Sequence, residues 1–202
     1  MRKWFGLAAV LAAAVALPAM AQTPTPPVHI RGQVQSLDGD TLVVAQKTGA
    51  PVTIKLSPHW LVVVVKPITV DAIQPGSFIG TTEVDRPDGL GQSVEVHVFP
   101  PGVKLGEGHY PWDLQPHSMM TNGTVGTVKA GASGRELDVA FPTGSRHIVV
   151  PPDTPIVQMT FAPDHGLVKP GAGVFVIAAP QADGTYTAGN LTIGENGAAP
   201  PM

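Results

Sequence analysis

Short runs of alternating apolar and polar residues, broken every few positions by glycine or proline, fill the chain from Val28 onward. Val52, Ile54 and Leu56 alternate with Thr53, Lys55 and Ser57. Val94, Val96 and Val98 alternate with Ser93, Glu95 and His97. Leu137, Val139 and Phe141 do the same around Asp138 and Ala140. A period of two predicts strands with one buried face. The unbroken runs Leu61 to Val65 and Val174 to Ala179 predict strands buried on both faces. Asp38-Gly39, Asp88-Gly89 and Asp183-Gly184 predict tight hairpin turns, because glycine accepts a positive φ at no steric cost. Segments Ile68 to Gln74 and Pro163 to Val168 each have room for a single helical turn.

The pattern also recurs. Gly32 aligns with Gly123, Leu42 with Leu137, Ile54 with Ile148 and Pro58 with Pro152. Pro75-Gly76 matches Pro170-Gly171, and Asp88-Gly89 matches Asp183-Gly184. Shifts of 91 to 95 preserve order, turn chemistry and apolar positions, which predicts an internal duplication. About five strands in about 70 residues are too few for a sandwich, and curling such a sheet removes its edges. The expected fold is all-β: two tandem small OB-like or SH3-like β-barrels, at 28–100 and 122–195, with an ordered connector at 101–121 packed between them. Residues 22–27 and 196–202, rich in proline, are expected to be extended, mobile tails.

Composition narrows the setting. Arg2 and Lys3 precede an apolar run from Leu7 to Leu17, and Ala19-Met20-Ala21 offers small residues where a signal peptidase reads them. Residues 1–21 therefore read as a signal peptide, too short to span a bilayer, with the mature protein exported to a Gram-negative periplasm. Its removal leaves 10 of 12 basic residues against 15 acidic ones, a formal charge of −5. An acidic surface argues against nucleic acid as a partner. The absence of cysteine rules out a disulfide framework and thiolate chemistry.

Chemistry-bearing residues concentrate in Gly106 to Gly123, GEGHYPWDLQPHSMMTNG. His109, His117, Met119 and Met120, with Trp112 as a capping face, supply imidazole and thioether donors that suit copper or silver. Against that reading, Met119 and Met120 are adjacent and point to opposite sides of an extended chain. The favoured reading packs Trp112 and one methionine into the seam between the barrels and leaves both histidines in solvent. Asp113, His117 and Ser118 supply the residue types of a hydrolytic triad without a Gly-x-Ser-x-Gly elbow. Asp164-His165-Gly166 reads as a turn, and His29, His97 and His147 as surface or strand-edge residues. Trp60, after His59, is either an exposed aromatic lip for an interaction or, on burial statistics, a core residue.

The frame R-G-x-V, D-G-x-x-L-x-V, x-P-G-x-x-V and D-G with a closing V-x-V resembles small bacterial envelope barrels of unknown function. The longer path from Val96-His97-Val98-Phe99-Pro100 through Gly106-Glu107-Gly108, Pro111-Trp112-Asp113-Leu114 and Met120-Thr121-Asn122 to Pro200-Pro201-Met202 resembles exported alphaproteobacterial proteins built from such tandem barrels. Similar chains are often labelled metal-transporter permeases, which conflicts with a chain that has no spanning helix. The resemblance implies a fold and a compartment and no reaction. The expected function is a non-enzymatic periplasmic binding or accessory protein, its partner an envelope protein or a small ligand. A copper or silver carrier is the alternative, and an unrecognised hydrolase the second.

Overall fold

A computed structural model describes residues 25–202, so the expected signal peptide and residues 22–24 of the expected N-terminal tail lie outside the described residues. The described chain is all-β. Its twelve strands are β1 (Val28–Asp38), β2 (Thr41–Gln46), β3 (Val52–Pro67), β4 (Phe78–Asp85), β5 (Gly91–Val98), β6 (Gly108–Pro111), β7 (Met119–Gly131), β8 (Gly134–Phe141), β9 (Gly144–Val150), β10 (Ile156–Phe161), β11 (Gly173–Pro180) and β12 (Tyr186–Gly194). Gly39, Gly89 and Gly184, with φ of 57°, 83° and 82°, turn the three Asp-Gly hairpins. A single 3-10 turn at Val70–Ala72 precedes Pro75-Gly76. No described helix is long and apolar enough to cross a membrane.

One closed barrel is formed by β12-β11-β1-β2-β3, with β3 returning to β12 in a parallel pairing from Tyr186↔Ile54 to Gly194↔Val65. Its interior is apolar: Leu42, Val44, Ile54, Val176 and Leu191 are fully buried. Each such side chain contributes about 1.5–3 kcal/mol of burial free energy. The other seven strands extend the same sheet. Among them β5-β4-β7-β8-β9 repeats the cyclic order, with β5 meeting β9 over only Gly91↔Ile148 and Gln92↔Val149. Ile79, Val96, Leu137, Val139 and Ile148 form its separate core. β10 links the two groups, antiparallel to β3 and parallel to β5.

The closed barrel therefore draws on both ends of the chain, and residues 28–100 do not close on themselves. β1 to β3 take β11 and β12 as partners, while β4 and β5 pair with β7, β9 and β10. Alternation specifies which face of a strand is buried, and it is the same whichever partner completes the barrel. Local details of β1 and β7 resemble each other. Both β1 and β7 bulge, at Val34/Ser36 and at Val125/Thr127. Val34 donates its N–H to Ala172 O at 2.9 Å and accepts from Gly171 N at 2.8 Å. Val125 donates to Ser77 O at 2.8 Å and accepts from Gly76 N at 2.7 Å. A side chain on Gly32 would strike Ala45 O, and one on Gly123 would strike Ala140 O, so glycine is what permits these close strand approaches.

Two expectations about burial are corrected. Leu61 is 55% exposed and Ile177 is 45% exposed, so the two apolar runs are not covered throughout on both faces. The C-terminal residues, expected to be a free tail, are seated: Met202 is buried beside Val65, Val157 and Phe175, and Arg31 Nε donates to Met202 O at 2.9 Å.

Candidate binding groove

Strands of the closed barrel carry apolar side chains on both faces. In β3, Val62 and Val64 point into the core, while Leu61 and Val63 point outward. In β11, Val174 and Val176 point inward, while Phe175 and Ile177 face out. The outward set meets β5, β7, β10 and the connector in a groove of about 350 Å³. Leu105, Tyr110 and Trp112 supply the connector wall, and Met120 and Met159 line it from β7 and β10.

Polar groups gather where β5 and β7 reach the groove. Both Glu95 and His97 are buried on the side of β5 opposite Val96. Glu95 Oε1 accepts from Thr82 N and Thr82 Oγ1, both at 2.8 Å, and its Oε2 lies 3.1 Å from His97 Nδ1. Asn122 Nδ2 donates to Leu105 O at 3.2 Å, Gly106 O at 3.0 Å and the Tyr110 hydroxyl at 3.0 Å. Burial raises the Tyr110 phenol above its ordinary pKa, so it stays protonated. A Cβ on Gly80 would run into His97 Nε2 and Asn122 Oδ1, so a glycine there admits both side chains. Among the described residues, Asn122 Oδ1 and Trp112 Nε1 are buried without a hydrogen-bond partner.

A second buried carboxyl, Glu83, faces away from the groove. Its Oε1 accepts from Thr121 Oγ1 at 2.6 Å and Arg146 Nε at 3.1 Å, and its Oε2 accepts from Arg146 Nη2 at 3.3 Å. Arg146 Nη2 also donates to Asp85 at 2.7 Å. Partial burial opposes the guanidinium charge, yet Glu83 and Asp85 together hold its pKa above the ordinary value. Gly91 leaves the space that Glu83 Oε2 occupies.

The residues expected to bind metal are spread out. His109 in β6 sits opposite Thr121, with Nδ1 at 2.8 Å from Thr121 Oγ1. Met120 pairs with Tyr110 on the other face, toward the groove, and Met119 pairs with Pro111. His117 occupies an exposed turn with φ of 61°. No three His, Cys, Asp or Glu side chains of the described residues gather at metal-binding range. Ser118 Oγ donates to Trp112 O and Gln115 O, which makes it a turn residue. Asp113 bonds instead to His29 and Arg31, each at 2.7 Å, so the triad types are not aligned.

Trp60 is in the barrel core, stacked on His165 with ring centroids 3.5 Å apart. Trp112 lies against the closed barrel: its ring is 4.0 Å from that of His29 and 6.3 Å from that of Phe175. The groove's polar set of His97, Glu95 and Asn122 was missed by sequence reasoning. The available signal was the Ser93-Glu95-His97 alternation, which reads equally well as a solvated face. Comparison with family models, with curated proteins and with solved structures finds no match.

Proposed function

We propose that this chain is an exported, non-enzymatic binding protein whose groove takes up a small, mostly apolar molecule. One observation carries the reading. All four large hydrophobic side chains that are exposed among the described residues, Leu61, Leu105, Phe161 and Ile177, border this one groove. Isolated exposed leucines are ordinary, but convergence on a concavity marks a binding surface. Its size and lining, apolar with a few convergent polar groups, suit a small molecule. Titration with an environment-sensitive apolar dye tests the reading. Phe161→Glu and Ile177→Glu should each weaken dye binding at least about tenfold, by placing a charge at the lip. Unchanged binding in both variants would overturn it.

The finer architecture belongs to the same proposal. The recurring bulges, Pro-Gly turns and hydrogen bonds support a duplicated OB-like unit whose copies have exchanged strands, with the second ring a barrel in its own right. Export rests on the signal-like residues 1–21 and places the protein in the periplasm. N-terminal sequencing of the periplasmic fraction should find Gln22 first; an intact Met1 there would contradict it.

A further inference from the structure

Resting on the groove as the binding site, we infer that its ligand is an apolar molecule ending in a neutral group that both donates and accepts hydrogen bonds, a hydroxyl or a primary carboxamide. The orientation of Asn122 is fixed, because Nδ2 faces two carbonyl oxygens and the Tyr110 hydroxyl. Flipping the amide would set oxygen against oxygen. Oδ1 is therefore an acceptor, and it has no partner among the described residues. The His97 ring points Nδ1 at the Glu95 carboxyl, so the neutral imidazole donates there and offers Nε2 as a second acceptor. Both acceptors pack over the bare Cα of Gly80.

Donors lie in the same walls. Trp112 Nε1 is an unpartnered N–H, and the Tyr110 hydroxyl, which accepts from Asn122, keeps its own hydrogen to give. A ligand end that only accepts satisfies the donors and leaves Asn122 Oδ1 and His97 Nε2 unmatched. An end that only donates does the reverse. Charge is disfavoured in either sign. An apolar groove strips water from any ion, and a carboxylate would also face Glu95 behind His97. A primary carboxamide, with two N–H donors and an oxygen carrying two lone pairs, answers all four positions, and a hydroxyl, with one hydrogen to give, answers three.

Five probes built on a ten-carbon chain separate the possibilities in calorimetric titrations of the whole chain: 1-decanol, decanamide, decanoate, decylamine and methyl decanoate. The alcohol and the amide should bind at least about tenfold more tightly than the other three, since each mismatched probe leaves a buried group unsatisfied. Trp112→Phe keeps an aromatic ring and removes the N–H; it should weaken decanamide several-fold more than it weakens decylamine. Equal binding of all five probes would overturn the inference about the ligand's end and leave the groove reading intact. Tightest binding of decanoate, decylamine or the ester would also overturn it. No binding of any probe, with no dye binding, would overturn both.

Discussion

At matching places in the two rings of strands, Ile30 faces Val176 in the closed barrel, while Thr121 faces Thr81 in the second ring. Ala178, opposite Val28, has Glu83, opposite Met119, as its counterpart; Ala188 corresponds to Ser93. The strand frame is the same and the fillings differ. In the closed barrel these positions are buried apolar residues and need no partners. In the second ring they bury a carboxyl that requires Arg146, Thr121 and the empty space at Gly91. A similar strand order and register thus places side chains alike, and the side chains decide whether the site is merely packed or must be chemically satisfied. The groove follows the same rule, joining an apolar outer face of the closed barrel to a polar one from β5 and β7.

Exchanging the fillings gives the largest effect. Ala178→Glu buries a carboxyl with no arginine to meet it and should cost more than about 4 kcal/mol or prevent folding, as read by urea unfolding. Next, Glu83→Ala leaves Arg146 with only the exposed Asp85 and the Thr121 hydroxyl with no acceptor, and should cost about 3 kcal/mol in the same assay. A loss below about 1 kcal/mol would mean that the polar filling is not required. Trp112→Ala, which strips the connector from the closed barrel at a half-buried site, should cost about 2–3 kcal/mol.

The smallest effect concerns Asp113, which ties the connector to β1. Partial burial works against its carboxylate, yet Arg31 and His29 together hold its pKa below the ordinary 3.8. A depressed folded pKa stabilises the protein above the unfolded value, and that contribution disappears as pH falls through the folded one. Asp113→Asn should therefore lower stability by a few tenths of a kcal/mol at pH 7, because the pair is half exposed. The difference from the parent should shrink below pH 3.8 and vanish once pH has fallen through the folded pKa.

Strand positions and turns were readable in the sequence because they depend on near neighbours: alternation at Val52 to Ser57, and Asp-Gly at the three hairpins. Partner choice was not. Val174 to Ala179 carries the same apolar pattern whether β11 pairs with β7, inside the expected second barrel, or with β1. The site was hidden for a related reason. His97 and Glu95 are buried on the polar side of their strand, and the outer face of the closed barrel and the connector meet His97 there. Leu61 and Ile177 misled in the opposite direction, since an apolar residue facing an open groove looks like one facing a core.

The shared closed barrel is the claim on which the groove depends, because its walls come from both ends of the chain. The protein has no cysteine, so His29→Cys with Ile177→Cys provides a single cross-strand pair between β1 and β11. Mild oxidation should give an intramolecular disulfide in a chain that remains monomeric, seen as a thiol-dependent shift in gel mobility. Free thiols throughout, or cross-linking only between chains, would contradict the account.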